Sequence, residues 1–237
     1  PQALVQAGAR AKIIPCEQGS RDWQMLRLGR VTCSGLSRII TPKTRKLAEG
    51  RAAYMRELLA AWIIGEPTEA GRLGGFVDRG IEMEQEARAD YEWSPGQHVE
   101  RVGFILSDDE SFGGSPDGFI GDDGGVDFKC PAAATHVGYL LNNDVLRDEY
   151  FVSVQGYMLL SCRAWWVLRS YNPAMPPVTV RVERDAEYLA VLEPALATFC
   201  AELAGARERL LALGCTPAKP QAADTDPTVE AEPCDTF

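Results

Sequence analysis

Apolar residues recur at helical spacing near both ends of the chain, whereas the middle contains short strand-like stretches bounded by turn residues. The pattern predicts helices over residues 21–28, 33–40, 54–64, 76–93, 151–161 and 185–213. Ser20 can cap the first helix, Thr32 or Ser34 the second and Asp185 the last. Strands are predicted over residues 99–106, around Phe119, and over 126–130, 164–171 and 178–182. Glycine and proline predict loops over 71–75 and 94–96.

Strands in the middle of the chain with helices on both sides indicate an α/β fold, in which one central mixed β-sheet is flanked by helices. We predict a single domain over residues 1–214, which starts with an arm over 1–19. Its parts are a basic helical part over 1–75, a core over 76–182 and a C-terminal helix over 185–213. Residues 215–237 have the Pro-rich and acidic composition of a flexible tail.

Basic residues are concentrated at the start of the chain, although the whole protein has a formal net charge of −10. Residues 1–60 contain 11 Lys and Arg against 4 Asp and Glu, a local balance of +7, so the remainder carries −17. A basic surface of this kind can bind phosphates, but a solvated basic helix face has the same composition. The charge distribution alone leaves both interpretations open.

The cysteine and histidine content limits the kind of metal site. The 7 cysteines include no CxxC pair, and His98 and His136 are the 2 histidines, so neither a zinc knuckle nor a multi-histidine centre is expected. Oxygen ligands would hold any catalytic metal, which favours magnesium, with manganese as the alternative. Neither a secretory signal nor an uninterrupted apolar run of about 18 residues is evident. We therefore expect a cytoplasmic protein with no membrane partner.

A glycine-rich turn brings three ionisable side chains together. Residues 121–125 predict a hairpin turn between the strands that carry Asp117 and Asp127. Because side chains alternate along a strand, Asp127 and Lys129 share one face, and counting back across the turn places Asp117 near them. A surface hairpin with a salt bridge would show the same alternation. The proline and glycine that flank Asp117 restrict its backbone, which favours a site.

A third carboxylate, Glu84, falls on the apolar stripe of the helix predicted over 76–93. An unpaired carboxylate that faces the core is costly. Glu84 therefore either pairs with Arg88, one turn further along the helix, or reaches a metal site.

These groups suit the hydrolysis of a phosphodiester. Two carboxylates can hold one or two divalent ions, which activate water and bind the phosphate. A nearby lysine can orient or deprotonate the water and stabilise the transition state. The reaction requires no histidine.

Several motifs together resemble the lambda exonuclease family, which comprises the YqaJ-type viral recombinases among the PD-(D/E)xK nucleases. The core match is Ser115-Pro116-Asp117-Gly118, followed by Asp127-Phe128-Lys129-Cys130-Pro131. Further matches are Trp23, Arg27-Leu28-Gly29, Val31-Thr32-Cys33-Ser34, Gly80 with Glu84, Ala87 and Arg88, Val154-Gln155-Gly156-Tyr157, and Ser170-Tyr171-Asn172-Pro173. They occur in the family's order over residues 20–210.

The resemblance implies a restriction-endonuclease-like core and a 5′-to-3′ exonuclease. Such an enzyme degrades one strand of linear double-stranded DNA and leaves 3′ overhangs for recombination by single-strand annealing. The resemblance also implies a trimeric ring threaded by DNA, a single-strand annealing protein as partner, and a phage or prophage origin in a bacterial host.

The resemblance further implies roles for the residues around the hairpin. Asp117, Asp127 and the backbone carbonyl of Phe128 would bind one or two magnesium ions. Lys129 would act on the attacking water. Glu84 would support the site or a metal-bound water.

Residues outside the hairpin would complete the site. Gln155 would help to position the water or the metal, and Arg27, Ser34 and Ser115 would hold a terminal 5′ phosphate. The family usually has Glu where this chain has Asp127, so either the metal binds closer to the strand or the site is less active. The alternatives are therefore a DNA-end-binding module with weak or no catalysis, and a related PD-(D/E)xK endonuclease.

Overall fold

The computed structural model describes residues 11–66, 76–93 and 98–218, and for residues 76–82 it describes the backbone alone. The predicted loops at 71–75 and 94–96 lie outside the described residues. So do residues 1–10 of the predicted arm and residues 219–237 of the predicted tail.

Groups of helices and groups of strands follow one another along the described chain. The helices are α1 (Arg21–Arg27), α2 (Arg51–Ile64), α3 (Phe76–Glu92), α4 (Ala133–Leu141), α5 (Asn143–Ser161) and α6 (Ala186–Ala212), with a 3₁₀ helix at Cys33–Arg38. The strands are β1 (Ala11–Ile14), β2 (Val31–Thr32), β3 (Phe104–Ser107), β4 (Phe112–Gly114), β5 (Gly118–Ile120), β6 (Gly124–Lys129), β7 (Trp165–Asn172) and β8 (Met175–Glu183).

The predicted α/β class is confirmed, but the prediction of one central sheet is wrong. The described strands form two four-stranded sheets, ordered β1-β3-β4-β2 and β5-β6-β7-β8. Both are mixed, because β2 runs parallel to β4 and β6 runs parallel to β7. The division falls at Ser115-Pro116-Asp117, between β4 and β5. Pro116 has no N–H to donate to a strand partner, so the sheet hydrogen bonding stops there.

The N-terminal part is less helical than predicted. Residues 11–14 of the expected arm form β1, which pairs antiparallel with β3, and β2 pairs with β4. The helix predicted over 33–40 is a 3₁₀ helix, and the Thr32 side chain does not cap it. The Thr32 hydroxyl instead lies 3.1 Å from that of Ser34. Strands this short show no detectable period, because β1 has 4 residues and β2 has 2, too few to establish an alternation.

The middle of the chain also departs from the prediction at its edges. The strand predicted over 99–106 begins only at Phe104, while Glu100 bridges to Phe119. The sequence pattern missed β4, α4 and the first eight residues of α5, which starts at Asn143 rather than at residue 151. Several apolar side chains of α4, such as Leu141, stay exposed, whereas its buried residues include His136, so the apolar residues alone do not mark the face of α4 that packs against the core.

The predicted hairpin is present and has a defined register. Gly118 pairs with Val126 and Ile120 with Gly124, and continuing this register places Asp117 opposite Asp127. β6 also pairs along its length with β7, so it is an interior strand. Its Phe128 side chain packs edge-on against Tyr91 of α3, with ring centroids 5.9 Å apart. The acidic face of β6 therefore points away from α3's apolar contacts.

Helix α5 contacts strands of both sheets and joins them into one core. Its Tyr157 ring stacks on the buried Trp166 ring of β7 at 5.3 Å. Phe119 of β5 meets the same indole edge-on at 6.3 Å. The Trp166 indole therefore contacts both α5 and the hairpin.

Within the described part of the chain, α6 is the one helix long and apolar enough to cross a membrane, by length and composition only. Core helices pass the same test. The buried side chains of α6 recur at helical spacing, namely Tyr188, Leu189, Leu192, Leu196, Phe199 and Leu203. They belong to the main hydrophobic core, which accounts for the apolar character of the helix.

Gly118 should tolerate no side chain. A Cβ there would lie 2.8 Å from the carbonyl oxygen of Glu100 and 2.2 Å from a methyl carbon of Val99. We expect Gly118→Ala to lower the free energy of unfolding by about 1–3 kcal/mol, the usual cost of overpacking, as measured by urea denaturation. Gly138→Ala is the matched control, because a Cβ at this α4 position meets nothing within 4 Å. Equal stability of the two variants would contradict this account of the hairpin.

Candidate active site

The structure brings Asp117, Asp127 and Lys129 together at the open end of the hairpin. Asp127 is 2% exposed and Asp117 is 8% exposed. The Lys129 ammonium lies 2.9 Å from Oδ2 of Asp127. The backbone N–H of Asp117 donates to Oδ1 of Asp127 at 3.4 Å, and that of Phe128 donates to Oδ2 of Asp117 at 2.6 Å. Each carboxylate is therefore held by the backbone of the other's strand.

Burial and like charge make this cluster electrostatically unbalanced. Burial raises the pKa of Asp117 well above its ordinary value, the charge of Asp127 raises it further, and Lys129 acts in the opposite direction. Burial alone would lower the pKa of Lys129, but Asp127 and Asp117 outweigh it and raise that pKa above its ordinary value. One ammonium thus neutralises only part of the negative charge, which leaves a demand for a further cation.

Glu84 of α3 faces the same cluster. Burial raises its pKa, while the charges of Arg88 and Lys129 lower it and that of Asp127 raises it. The guanidinium of Arg88 donates to the backbone carbonyl of Asp117, so this arginine is committed to the loop that carries Asp117. Arg88 and the site residues therefore both act on the Glu84 carboxylate, and the two sequence-based alternatives for Glu84 both remain predictions.

A second group of side chains converges next to Asp117. The indole N–H of Trp23 donates to the Ser115 hydroxyl at 2.6 Å. The guanidinium of Arg27 stacks over the Trp23 ring at 4.4 Å and lies 3.4 Å from the Ser34 hydroxyl. The predicted phosphate-binding residues Arg27, Ser34 and Ser115 are thus brought together. Trp23, which had no assigned role, connects them.

Gln155 does not join the cluster. Its amide N–H donates to the carbonyl of Glu183 at 2.8 Å, and its amide oxygen accepts the N–H of Asp185 at 2.9 Å. The side chain is 0% exposed. Both ends of the amide therefore tie α5 to the β8–α6 junction, and the expectation that Gln155 positions the water or the metal is corrected to a structural role.

Two tyrosines of α5 contact the site instead, and the sequence pattern singled out neither for this. The Tyr157 hydroxyl donates to the carbonyl of Ser115 at 3.3 Å. The ring of Tyr150 lies under the Lys129 ammonium, whose nitrogen is 4.9 Å from the ring centroid. Tyr157 stood inside a motif of the resembling family, but Tyr150 preceded the predicted helix, so no periodic signal indicated the direction of its side chain.

Many of the N-terminal basic residues pair with acidic residues of the same chain. The pairs are Lys12–Glu110, Arg38–Glu57, Lys43–Asp148, Arg45–Asp185 and Arg51–Glu202. Most of these acids belong to the acidic remainder of the chain. Many of the N-terminal positive charges are therefore neutralised by acidic residues of the same chain. Of the predicted phosphate ligands, Arg27 is the one that carries a positive charge.

The donor set fits a hard divalent cation. Among the described residues, no group of three or more His, Cys, Asp or Glu side chains is close enough to hold a metal. Asp117 and Asp127 nevertheless supply oxygen donors with uncompensated charge. The carbonyl of Phe128 lies on the edge of β6 from which its N–H reaches Asp117, because both groups of a strand residue point to the same side. Magnesium commonly binds to one or two carboxylates and keeps several waters.

Solved structures of exonucleases share this architecture. The alkaline exonuclease LHK-Exo from Laribacter hongkongensis, alone and in complex with dAMP, aligns with a TM-score of 0.72 and 32% identity, covering 82% of this chain and 98% of that chain. A phage-related exonuclease from Haemophilus somnus 129PT aligns with a TM-score of 0.60 at 17% identity, covering 76% of this chain and 96% of that chain. This second likeness concerns the fold alone.

The fold is therefore the α/β fold of the PD-(D/E)xK-type exonucleases, with mixed sheets flanked by helices. Residues 22–163 match the YqaJ-like viral recombinase domain. The chain belongs to this family, as the sequence motifs indicated, and it is a homologue of an alkaline exonuclease. No curated protein sequence matches it.

Asp117→Asn should stabilise the protein in the absence of divalent metal. A carboxyl whose pKa is higher in the folded than in the unfolded chain destabilises the fold when it is ionised. For Asp117, this loss of folding free energy is complete above the folded pKa and disappears as the pH falls towards the ordinary pKa of 3.8. We expect the variant to gain about 1 kcal/mol or more at neutral pH and to lose this gain in acid, as measured by urea denaturation at several pH values.

Asp148→Asn is the control of opposite sign. Hydrogen bonding to Lys43 lowers the pKa of this surface carboxylate. The ionised Asp148 side chain therefore stabilises the fold at neutral pH, and this stabilisation is lost in acid. A destabilised Asp117→Asn variant at neutral pH would contradict the electrostatic account of the site.

Proposed function

We propose that this protein is a metal-dependent 5′-to-3′ exonuclease that degrades one strand of linear double-stranded DNA and leaves 3′ overhangs. One observation carries the proposal: the Arg27, Ser34 and Ser115 group lies directly beside the acidic pair. Ser115 and Asp117 are two positions apart, a span of about 7 Å at most. This spacing would let Arg27, Ser34 and Ser115 bind a terminal phosphate while Asp117 and Asp127 lie at the adjacent phosphodiester.

The relatives support the same reaction class. LHK-Exo is an exonuclease, and one of its structures holds dAMP, a mononucleotide of the kind that stepwise digestion releases. At 32% identity over 82% of this chain, the two proteins are similar enough for the exonuclease activity to be proposed here.

Asp117, Asp127 and the Phe128 carbonyl would hold one or two magnesium ions, with manganese as the alternative. The metal would supply Lewis acidity to the scissile phosphate and to the attacking water. The charge imbalance around Asp117 supports this assignment, because a divalent cation would offset the repulsion between the two acids. The Asp127 side chain, shorter than the family's usual Glu, would keep the ion close to β6.

Lys129 would act through its positive charge. Its raised pKa keeps the ammonium protonated at neutral pH, so it can donate hydrogen bonds to the attacking water and to a phosphate oxygen as charge develops there. Glu84 would restrain the groups around Asp127 from the α3 side.

Arg27 would bind the terminal 5′ phosphate. Its planar guanidinium can make two parallel hydrogen bonds to phosphate oxygens, and stacking on Trp23 restricts its orientation. The hydroxyls of Ser34 and Ser115 would donate from neighbouring elements. Because Trp23 already donates to Ser115, the serine proton remains available for the phosphate.

Family membership supports three further proposals about context. The chain would assemble into a homotrimeric ring, deliver its 3′ overhangs to a single-strand annealing protein, and act in the cytoplasm of a bacterium that carries the phage or prophage. Mass measurement of the native assembly would test the first of these.

The direct test is digestion of duplex DNA in magnesium, with wild type and Lys129→Ala compared on linear and circular substrates. We expect wild type to digest linear DNA alone, faster with a 5′ phosphate, and to stop when EDTA is added. Lys129→Ala should lower the rate at least about 100-fold, because the substitution removes a positive charge at the reaction centre. DNA binding should persist, because Arg27, Ser34 and Ser115 are unchanged.

Other outcomes distinguish the alternatives. Binding without digestion by wild type would indicate a DNA-end-binding module in which Asp127 has weakened the site. Loss of circular DNA would indicate an endonuclease. Unchanged turnover in Lys129→Ala would rule out the assigned role of this lysine.

Arg27→Ala should reduce the preference for 5′-phosphorylated ends. We expect the ratio of kcat/KM between phosphorylated and hydroxyl ends to fall about tenfold or more, since hydrogen bonds to charged groups contribute about 1.5–3 kcal/mol. The matched control is Arg56→Ala, which removes an exposed arginine of α2 from the same basic segment. If both variants lost the preference equally, general charge rather than a phosphate site would explain it.

A further inference from the structure

Lys129 is held from two sides by groups of different chemical character. On one side is the Asp127 carboxylate at 2.9 Å. On the other is the face of the Tyr150 ring, with 4.9 Å between the lysine nitrogen and the ring centroid. A cation over an aromatic face is attracted by the ring quadrupole. The lysine comes from β6 and the tyrosine from α5, so the contact joins two separate elements.

The position of Tyr150 does not depend on Lys129. Glu149, the residue before it, accepts a hydrogen bond at 2.6 Å from the hydroxyl of Tyr139, a 1% exposed side chain of α4. The Tyr150 carbonyl accepts the hydroxyl of Ser153 at 2.8 Å. Burial raises the pKa of Tyr150, so the phenol stays neutral. The packing of α4 against α5 thus presents a neutral aromatic face to the ammonium.

The two contacts respond differently to a bound divalent cation. Oδ2 of Asp127 is the atom that Lys129 contacts, and a doubly charged ion competes for the same carboxylate. The ring of Tyr150 offers no ligand to a hard cation, so its contact with Lys129 is not subject to this competition. A lysine on a flexible four-carbon stem needs a second contact to stay in one place.

We propose that Tyr150 is a positioning residue for Lys129, whose ring face keeps the ammonium beside the reaction centre when Asp127 turns to the metal. The inference rests on the proposed function for the role of Lys129. It concerns the ring rather than the hydroxyl, so removal of the hydroxyl and removal of the ring should have different effects.

The kinetic test compares Tyr150→Leu with Tyr150→Phe on linear 5′-phosphorylated duplex in magnesium. Loss of the ring should lower kcat about tenfold. KM for DNA ends should stay within about twofold of wild type, because the proposed phosphate-binding residues Arg27, Ser34 and Ser115 are unchanged. Tyr150→Phe keeps the ring face and should restore kcat. Equal loss in both variants, or wild-type kcat in Tyr150→Leu, would overturn the proposal.

Phe151→Leu is the structural control. The ring of this neighbour on α5 packs edge-on against that of Tyr188, with centroids 4.9 Å apart, whereas the Lys129 ammonium contacts Asp127 and Tyr150. Its replacement should lower stability through lost packing but leave kcat unchanged. A kcat loss as large as that of Tyr150→Leu would mean that any loosening of α5 impairs turnover, which would overturn the specific role of Tyr150.

A second measurement needs neither DNA nor metal. Urea unfolding of wild type, Tyr150→Leu, Lys129→Met and the double variant forms a double-mutant cycle. We expect a coupling of about two- to thirtyfold in the unfolding equilibrium constant. Additive effects would overturn the proposal. If wild type failed to digest DNA, the proposed function would fall, and this cycle alone would decide whether Tyr150 holds Lys129.

Discussion

Two carboxylates of like charge, Asp117 and Asp127, are held side by side in the protein interior. The other side chains of the site are arranged around the electrostatic repulsion between them. The hairpin register sets them opposite one another, and each accepts a hydrogen bond from backbone near the other. Lys129 lies against one of them, and Arg88 binds the backbone of the other. Two buried acidic side chains with one lysine beside them are therefore built into the folded chain, which leaves the acidic charge only partly neutralised.

The proposed phosphate-binding group of Arg27, Ser34 and Ser115 depends on the same stretch of backbone. Pro116 ends the hydrogen bonding of one sheet just before the next begins, so Ser115 and Asp117 lie in the gap between the two sheets. Trp23 reaches across to Ser115 from α1, and Tyr157 holds its carbonyl from α5. The serine proposed to bind the terminal phosphate and the aspartate proposed to bind the metal therefore lie two positions apart, between β4 and β5.

Local patterns predicted the parts of the site that depend on local geometry. The turn over 121–125 and the alternation along β6 were enough to place Asp117, Asp127 and Lys129 together. Gln155 shows the limit of motif reasoning, because its motif is present while its amide binds the backbone of Glu183 and Asp185. The sheet division, β1 and the role of Tyr150 escaped prediction for a shared reason: each depends on partners far away in the sequence.

By itself, the sequence determined the α/β class, the principal helices, the hairpin and the acidic pair with its lysine, because turn chemistry and side-chain periodicity act over a few residues. Only the tertiary structure decided that there are two sheets, that Trp23 joins Ser115 to Arg27, and which α5 side chains touch the site. These contacts join residues up to about a hundred positions apart, and packing rather than local preference selects them.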